Sequence, residues 1–125
     1  EDPILTGKIS AAQVLGIQES GATATIKHFC ANNQETSRRF VDSIVSERAL
    51  REIYLKGFEI AIKEGKARSV MTSYNPINGI WTEGNYDLCT TILRKEWEFD
   101  GIVMTDWWAE ANTEGEKSKR EVRYV

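Results

Sequence analysis

The sequence predicts an α/β fold in which helices alternate with parallel strands. Three short runs rich in apolar and β-branched residues end in polar or aromatic side chains, and each run follows a segment with apolar residues at helical spacing. Glycine, asparagine and proline separate these segments, as turns require. Such alternation is typical of parallel strands joined by right-handed crossovers. Because three strands neither close a barrel nor bury both faces of a sheet, we expect the chain to be a piece of a larger α/β structure.

The first helix and strand open the chain. Thr6 can cap a helix that runs to about Ser20, where Gly21 ends it. The residues predicted to share its inward face are Leu5, Ile9, Ala12 and Gly16. Residues 22–29 are predicted to form the first strand, and residues 30–40 a polar loop.

The second helix and strand repeat this order. Ser46 can cap the helix, and Glu47 lies in the first turn, where the helix dipole favours an acidic side chain. The apolar stripe with a period near 3.6 consists of Ala49, Leu50, Ile53, Tyr54, Gly57, Ile60 and Ala61. Gly65 ends the helix, and residues 69–73 are predicted to form the second strand. The turn formers of the loop that follows are Pro76, Asn78 and Gly79.

The third helix is predicted over residues 85–97. Its inward side chains are Leu88, Cys89, Ile92, Leu93 and Trp97. A turn at Asp100 and Gly101 leads into the third strand, residues 102–105, which we expect to be buried. Residues 110–125 are mostly charged and are assigned no role.

Composition excludes two classes of protein. The 125 residues include 16 basic and 19 acidic side chains with no basic stripe, so nucleic-acid binding is not indicated. No apolar run approaches the roughly 18 residues of a membrane span. Cys30 and Cys89 form neither a disulfide framework nor a metal-ligand pattern, so we expect free thiols packed as small hydrophobes. We expect no metal and no cofactor, and the sequence does not indicate the compartment.

Polar and aromatic side chains follow each predicted strand. Lys27 and His28 end the first strand, Tyr74 follows the second, and Asp106 and Trp107 follow the third. The carboxyl ends of parallel strands lie on one side of the sheet, and in a β/α barrel they form the active-site floor. We therefore expect these five side chains around one cleft.

These residue types suit a neutral sugar. Indole rings stack on sugar rings, and Asp106 is the one carboxylate at a predicted strand end, which makes it a candidate nucleophile. Positive charge from Lys27 and from Arg38 in the first polar loop is expected beside it. Each residue can also be interpreted as purely structural. Asp106 could cap a helix, and His28 could be a structural histidine. Tyr74 could be a core aromatic, and the two cations could be solvated surface charges.

Four ordered motifs resemble glycoside hydrolase family 3, most closely its bacterial β-glucosidases. They are KHFCANNQET at residues 27–36, SERALREIY at 46–54, MTSYN at 71–75 and GIVMTDW at 101–107. The resemblance extends from the start of the chain to Trp108. It implies that residues 1–125 are a fragment of a single catalytic domain, a (β/α)₈ TIM-type barrel, covering roughly its second half without the last strand. It also implies retaining hydrolysis of terminal β-linked glucosides or related sugars by double displacement.

The resemblance assigns roles residue by residue. Asp106 matches the catalytic nucleophile of the family. The positions that match contacts to the sugar are Lys27, His28, Arg38, Tyr74 and Trp107. The general acid/base of the family is a glutamate from a later domain and is absent here, so the isolated chain is expected to be inactive. The expected partners are a small carbohydrate and the remainder of the parent chain.

Other readings remain open. The chain could belong to a non-catalytic carbohydrate-binding relative, or to a β-xylosidase or N-acetylhexosaminidase of the same family, and the 125 residues alone could be an inactive α/β fragment. Single-domain N-acetylhexosaminidases carry a KHFPGHG loop with a second histidine. Here the corresponding residues 27–33 read KHFCANN, and His28 is the only histidine of the chain. This difference favours the multidomain glucosidase and xylosidase branch.

Overall fold

The fold is a three-stranded parallel sheet with helices between successive strands. The computed structural model describes residues 2–109. In chain order the elements are α1 (Pro3–Glu19), β1 (Thr25–Phe29), α2 (Glu47–Ala49), a first π-helical segment (Leu50–Tyr54), α3 (Lys56–Lys63), β2 (Ser69–Thr72), β3 (Pro76–Ile77), β4 (Ile80–Trp81), a 3₁₀ turn (Thr82–Gly84), a second π-helical segment (Asp87–Glu96) and β5 (Ile102–Met104). The sheet order is β1-β2-β5, and both pairings are parallel. The predicted alternation is thus confirmed.

Helix α1 begins earlier than predicted. Asp2 caps it, because its Oδ1 accepts hydrogen bonds from the N–H groups of Ile4 (2.8 Å) and Leu5 (2.9 Å), and Pro3 occupies the first helical position. The N–H of Thr6 donates to the carbonyl of Asp2, so Thr6 lies inside the first turn. The prediction that Thr6 is the cap was therefore wrong.

The inward face of α1 also differs from the prediction. Leu5 and Ile9 are 59% and 51% exposed, and the buried positions are Gly7, Ala11 and Val14. Helix α1 packs against α3 at Gly7, where an added Cβ would lie 2.7 Å from Ile60 Cδ1 and 3.2 Å from Gly57 Cα. Small residues allow this close approach of two helix backbones, so they rather than the larger side chains form the interface.

Two alanine substitutions on α1 test this packing in the full-length protein. Gly7→Ala is expected to destabilise it by about 1–3 kcal/mol, because the new methyl group overlaps Ile60. Gly16→Ala is the matched control, since no atom lies within 4 Å of its added Cβ. It should stabilise α1 by up to about 1 kcal/mol, because glycine is a poor helix former. Urea unfolding of both variants measures the difference, and equal midpoints would contradict the proposed contact.

Both later helices contain π-helical turns. In the first, the N–H of Leu55 donates to the carbonyl of Leu50 (2.8 Å), five residues back. The predicted cap is confirmed, because Ser46 Oγ accepts a hydrogen bond from the N–H of Ala49.

The apolar stripe predicted for the second helix is only partly buried. Ile60 and Ala61 are buried, as predicted, but Ile53 is 50% exposed, so the prediction was wrong for Ile53. The inward residues predicted for the third helix are all buried.

A short hairpin replaces the loop predicted after β2. Strands β3 and β4 pair antiparallel, and Asn78 and Gly79 between them both have positive φ (49° and 81°), as a tight two-residue turn requires. The side chain of Asn78 accepts from the N–H of Val45 (2.9 Å) and donates to its carbonyl (2.8 Å). The hairpin therefore fixes the segment that follows the first polar loop.

Helices cover one face of the sheet within residues 2–109, and the other face is exposed at the edge strand β5. Phe29, Val70 and Val103 pack into the core with side chains of the helices. Strand β5 lies at the sheet edge, and Ile102 on its other face is 62% exposed. The prediction that the third strand is buried was therefore wrong for these residues. In the intact barrel this face is expected to be covered by the remaining strands.

Both cysteines are free and buried, as predicted. Burial raises the pKa of the Cys89 thiol to about 11 and raises that of Cys30 further. These pKa shifts favour the neutral thiol, which fits packing as small hydrophobes. No helix among residues 2–109 is both long and apolar enough to span a membrane.

Glu83 is a partly buried acid whose carboxylate has no partner on another described residue. Both carboxylate oxygens are shielded from solvent, and no hydrogen bond reaches them from another of these residues. Burial raises the pKa of Glu83. A carboxyl pKa raised by folding destabilises the protein once pH exceeds the pKa of the unfolded chain.

We therefore expect Glu83→Gln to raise the melting temperature of the full-length protein at about pH 7, where an unfolded glutamate is ionised. The gain should shrink as pH falls through the pKa of an unfolded glutamate, about 4.3, and vanish below it, where the wild-type side chain is protonated in both states. Exposed Glu52, changed to Gln, is the control. A gain that did not depend on pH would rule out this explanation.

Candidate active site

The three parallel strands bring the predicted site residues to one edge of the sheet. The pairing of β1 with β2 shifts between Ile26 and Phe29, so Lys27 and His28 form a bulge near the end of β1. Tyr74 lies two residues after β2, and Asp106 two residues after β5. This convergence follows from the parallel topology.

Asp106 lies against His28. Its Oδ2 is 3.4 Å from His28 Nε2, and the Asp106 side chain is 13% exposed. Its Oδ1 accepts a hydrogen bond from the N–H of the next residue, Trp107 (2.7 Å). A helix N-cap instead accepts from the N–H two or three residues further on, so this contact does not match the capping reading. One carboxylate oxygen thus faces the imidazole at the sheet edge.

The cations lie differently from the prediction. Arg38 donates to Glu35 Oε2 (2.9 Å), and its guanidinium lies 5.2 Å from the Tyr74 ring centroid. Lys27 is exposed and forms no ion pair with any residue of the described range. We expected both cations beside Asp106, but neither forms an ion pair with it within residues 2–109, and the side chain that lies against its carboxylate is His28. Glu35 lies three residues before Arg38 in the same turn, and it is therefore closer to Arg38 than Asp106 is.

Tyr74 connects the second strand to the turn after the third. Its hydroxyl donates a hydrogen bond to the backbone carbonyl of Trp107. The ring is buried, with an exposed fraction of 4%. Tyr74 therefore fixes the backbone next to Asp106, in addition to its predicted contact with the sugar.

The two tryptophans form an open corner. Trp107 and Trp108 are 71% and 70% exposed, and their ring centroids lie 6.1 Å apart at an interplanar angle of 85°. The N–H of Ala109 donates to the carbonyl of Asp106 (3.1 Å), and Ala109 is buried. Within residues 2–109 this turn leaves both indoles uncovered, and an indole can stack on a sugar ring.

Arg39 is a neighbour of the site that the sequence analysis missed. Its guanidinium carbon lies 4.7 Å from the Tyr74 ring centroid and 6.0 Å from that of Trp108. Two consecutive arginines in the polar loop were visible in the sequence, but the family motif accounts only for Arg38. The contact depends on the path of the loop, which sequence patterns do not give.

Buried hydrogen bonds hold the strand ends together. Asn75 Nδ2 donates to the carbonyl of Cys30 (3.2 Å) and to Ser43 Oγ (3.2 Å), and Ser73 Oγ donates to the same carbonyl (2.9 Å). These bonds join the end of β2 to the chain after β1. They provide a rigid support for the residues in front of them.

The described part of the chain does not offer a metal centre. No three His, Cys, Asp or Glu side chains among residues 2–109 are grouped so that they could hold an ion. The polar groups at the sheet edge are instead hydrogen-bond donors, one carboxylate and aromatic rings, a set suited to a hydroxyl-rich ligand.

Comparison with known proteins gives consistent results. The model of the glycosyl hydrolase family 3 N-terminal domain matches residues 1–124. A β-glucosidase from Ruminococcus albus is 64% identical over 115 residues, which are 92% of this chain and 12% of that protein.

Solved structures agree with the sequence matches. β-Glucosidase 3B from Thermotoga neapolitana, solved in complex with glucose, has a TM-score of 0.85 and 56% identity over 86% of this chain and 15% of its own. A β-glucosidase from Paenibacillus barengoltzii has a TM-score of 0.85 and 66% identity over 86% of this chain and 12% of its own. The chain thus spans about an eighth of the length of these relatives, and the α/β fold is part of a TIM-type barrel. This chain belongs to glycoside hydrolase family 3.

Proposed function

We propose that the protein containing these residues is a retaining β-glucosidase and that residues 1–125 are a fragment of its catalytic barrel domain. The observation that carries the proposal is the meeting of Asp106, His28 and the Tyr74–Trp107 pair at the carboxyl edge of the sheet. The named activity of the relatives and the glucose bound by one of them support a carbohydrate substrate.

The reaction proceeds in two displacements. In the first, an Asp106 carboxylate oxygen bonds to the anomeric carbon while the bond to the aglycone oxygen breaks, and that oxygen takes a proton from an external acid. In the second, water attacks the same carbon, the ester to Asp106 breaks, and the proton of the water passes to the conjugate base of that acid. Two inversions give net retention at the anomeric carbon.

The other site residues hold the sugar. Lys27, His28 and Arg38 donate hydrogen bonds to hydroxyls, Tyr74 positions the turn after β5, and Trp107 stacks on the ring. Glu35 fixes the orientation of Arg38 through their ion pair (2.9 Å). The acid/base glutamate is expected outside these 125 residues, so the isolated chain is expected to bind poorly and to lack turnover.

The experiment that tests this function is covalent trapping in the full-length protein. A 2-fluoro-glucoside with a dinitrophenyl leaving group should inactivate it and leave an ester on the peptide that contains Asp106. Mass spectrometry of the digest locates the label, and NMR of the first product gives its anomeric configuration. A label on another carboxylate would overturn the nucleophile assignment, and an inverted product would overturn the retaining mechanism. Sugar binding without hydrolysis would support the non-catalytic alternative, and faster turnover of a xyloside or an N-acetylhexosaminide would reassign the sugar.

A further inference from the structure

Arg39 contacts the site but has no role in the family resemblance or in the proposed mechanism. It is half-buried in the polar loop after β1, and its guanidinium carbon lies 4.7 Å from the Tyr74 ring centroid and 6.0 Å from that of Trp108. A guanidinium at such distances is attracted to the face of an aromatic ring. Arg39 therefore joins the loop after β1 to the segments that follow β2 and β5.

The neighbouring arginine has a different task in the proposed mechanism. Arg38 pairs with Glu35 (2.9 Å) and lies 5.2 Å from the Tyr74 ring centroid. Its guanidinium is proposed to donate a hydrogen bond to a sugar hydroxyl. Arg39 lies closer to Tyr74 and has no proposed contact with the sugar, so it is the arginine that can hold the loop against that ring throughout the reaction.

The turn that carries Asp106 needs support from its surroundings. Trp108 has a φ of 61°, in the left-handed region that bulky residues rarely adopt, and such backbone persists only where other contacts hold it. The N–H of Ala109 closes the turn by donating to the carbonyl of Asp106 (3.1 Å), and the Tyr74 hydroxyl donates to the carbonyl of Trp107. A displacement of the Tyr74 ring would therefore be transmitted to the residue next to Asp106.

We propose that Arg39 is a positioning residue for the nucleophile, an inference that rests on the proposed glycosidase activity. Its guanidinium fixes the Tyr74 ring, and the Tyr74 hydroxyl fixes the carbonyl of Trp107, next to Asp106. Arg39 touches neither the sugar nor the reacting atoms in this role. It affects the rate because a small displacement of a reacting carboxylate from its productive geometry slows the reaction.

Two Tyr74 backgrounds test the proposal in the full-length protein. Tyr74→Phe keeps the ring on which Arg39 rests but removes the hydroxyl that reaches Trp107. Arg39→Met is expected to lower kcat/KM for an aryl glucoside roughly tenfold when Tyr74 is present. In the Tyr74→Phe background the same change should cost less than about twofold, because the link to the turn is already broken. Arg39→Lys should retain most of the wild-type kcat/KM, since an ammonium group also binds an aromatic face.

Thermal unfolding separates positioning from general support of the fold. The contact between Arg39 and the ring is present in both backgrounds, so Arg39→Met should lower the melting temperature by a similar amount in each. General damage to the fold would instead lower kcat/KM equally in both. The matched control is Arg48→Met, because Arg48 is exposed and paired with Glu52, and its loss should leave kcat/KM unchanged in either background.

The outcomes separate this proposal from the proposed function. An Arg39→Met variant with wild-type kcat/KM, or a loss that is equal with and without the Tyr74 hydroxyl, would overturn the positioning role and leave the glucosidase intact. If Arg39→Met does not fold, Arg39→Gln replaces it in both backgrounds with the same expectation. A wild type that does not hydrolyse the glucoside would overturn both proposals.

Discussion

Replacing Asp106 with asparagine in the full-length protein is expected to lower kcat for aryl glucosides by a factor on the order of 10⁴ or more, because both steps of the reaction pass through the ester to this nucleophile. Asparagine has the same shape, and its oxygen can still accept from the N–H of Trp107, which now lies 2.7 Å from Asp106 Oδ1. The amide is a poor nucleophile, so the glycosyl ester does not form. Initial rates with an aryl glucoside measure the loss, and thermal unfolding should remain near the wild-type temperature.

A second substitution separates loss of the nucleophile from general damage to the site. Asp106→Ala leaves space for azide, which can attack the anomeric carbon from the side that Asp106 occupied and displace an activated aryl aglycone. The expected product is the α-glucosyl azide, identified by NMR. Asp100→Asn, at an exposed position before β5, is the control and should keep wild-type turnover. Full activity of Asp106→Asn would remove Asp106 from the proposed mechanism.

The order of the elements could be predicted because their signals are local. Three segments with apolar residues at helical spacing alternate along the chain with three runs of β-branched residues, and this alternation implies parallel strands. The inward face of α1 could not be predicted in the same way. Leu5 and Ile9 carry the strongest hydrophobic signal, yet the face is selected by contact with α3, where Gly7 allows the backbones to approach. Exposure of Ile102 likewise depends on strands outside the described residues.

The identities of the candidate site residues were more predictable than their contacts. Strand ends and motifs pointed to Asp106 and His28, and the parallel sheet places these residues together. The partner of Arg38 depends on the turn that brings Glu35 close, and the stacking of Arg39 on Tyr74 depends on the loop path. The bulge that contains Lys27 and His28 arises from a shift in the pairing of β1 with β2, and the identities of these two residues do not predict that shift. Their roles in binding and catalysis remain predictions.

Lys27 provides the second large expected effect. It lies in the β1 bulge next to His28, is exposed, and forms no ion pair within residues 2–109, so its ammonium group is available to a sugar hydroxyl. Lys27→Ala in the full-length protein should lower kcat/KM for an aryl glucoside roughly thirtyfold or more, equivalent to about 2 kcal/mol, because a charge-assisted hydrogen bond to the sugar is lost. Lys8→Ala, which removes an exposed lysine paired with Glu64, is the matched control and should have almost no effect.

Substrates that lack single hydroxyls identify the contact of Lys27. One deoxyglucoside should be a poor substrate of the wild type, and Lys27→Ala should lower its kcat/KM far less than it lowers that of the parent glucoside. This non-additivity arises because the enzyme and the substrate have each lost one half of the same hydrogen bond. Equal losses with every deoxyglucoside would show that Lys27 acts on the site without touching a hydroxyl. An unchanged kcat/KM for the parent glucoside would remove Lys27 from the site altogether.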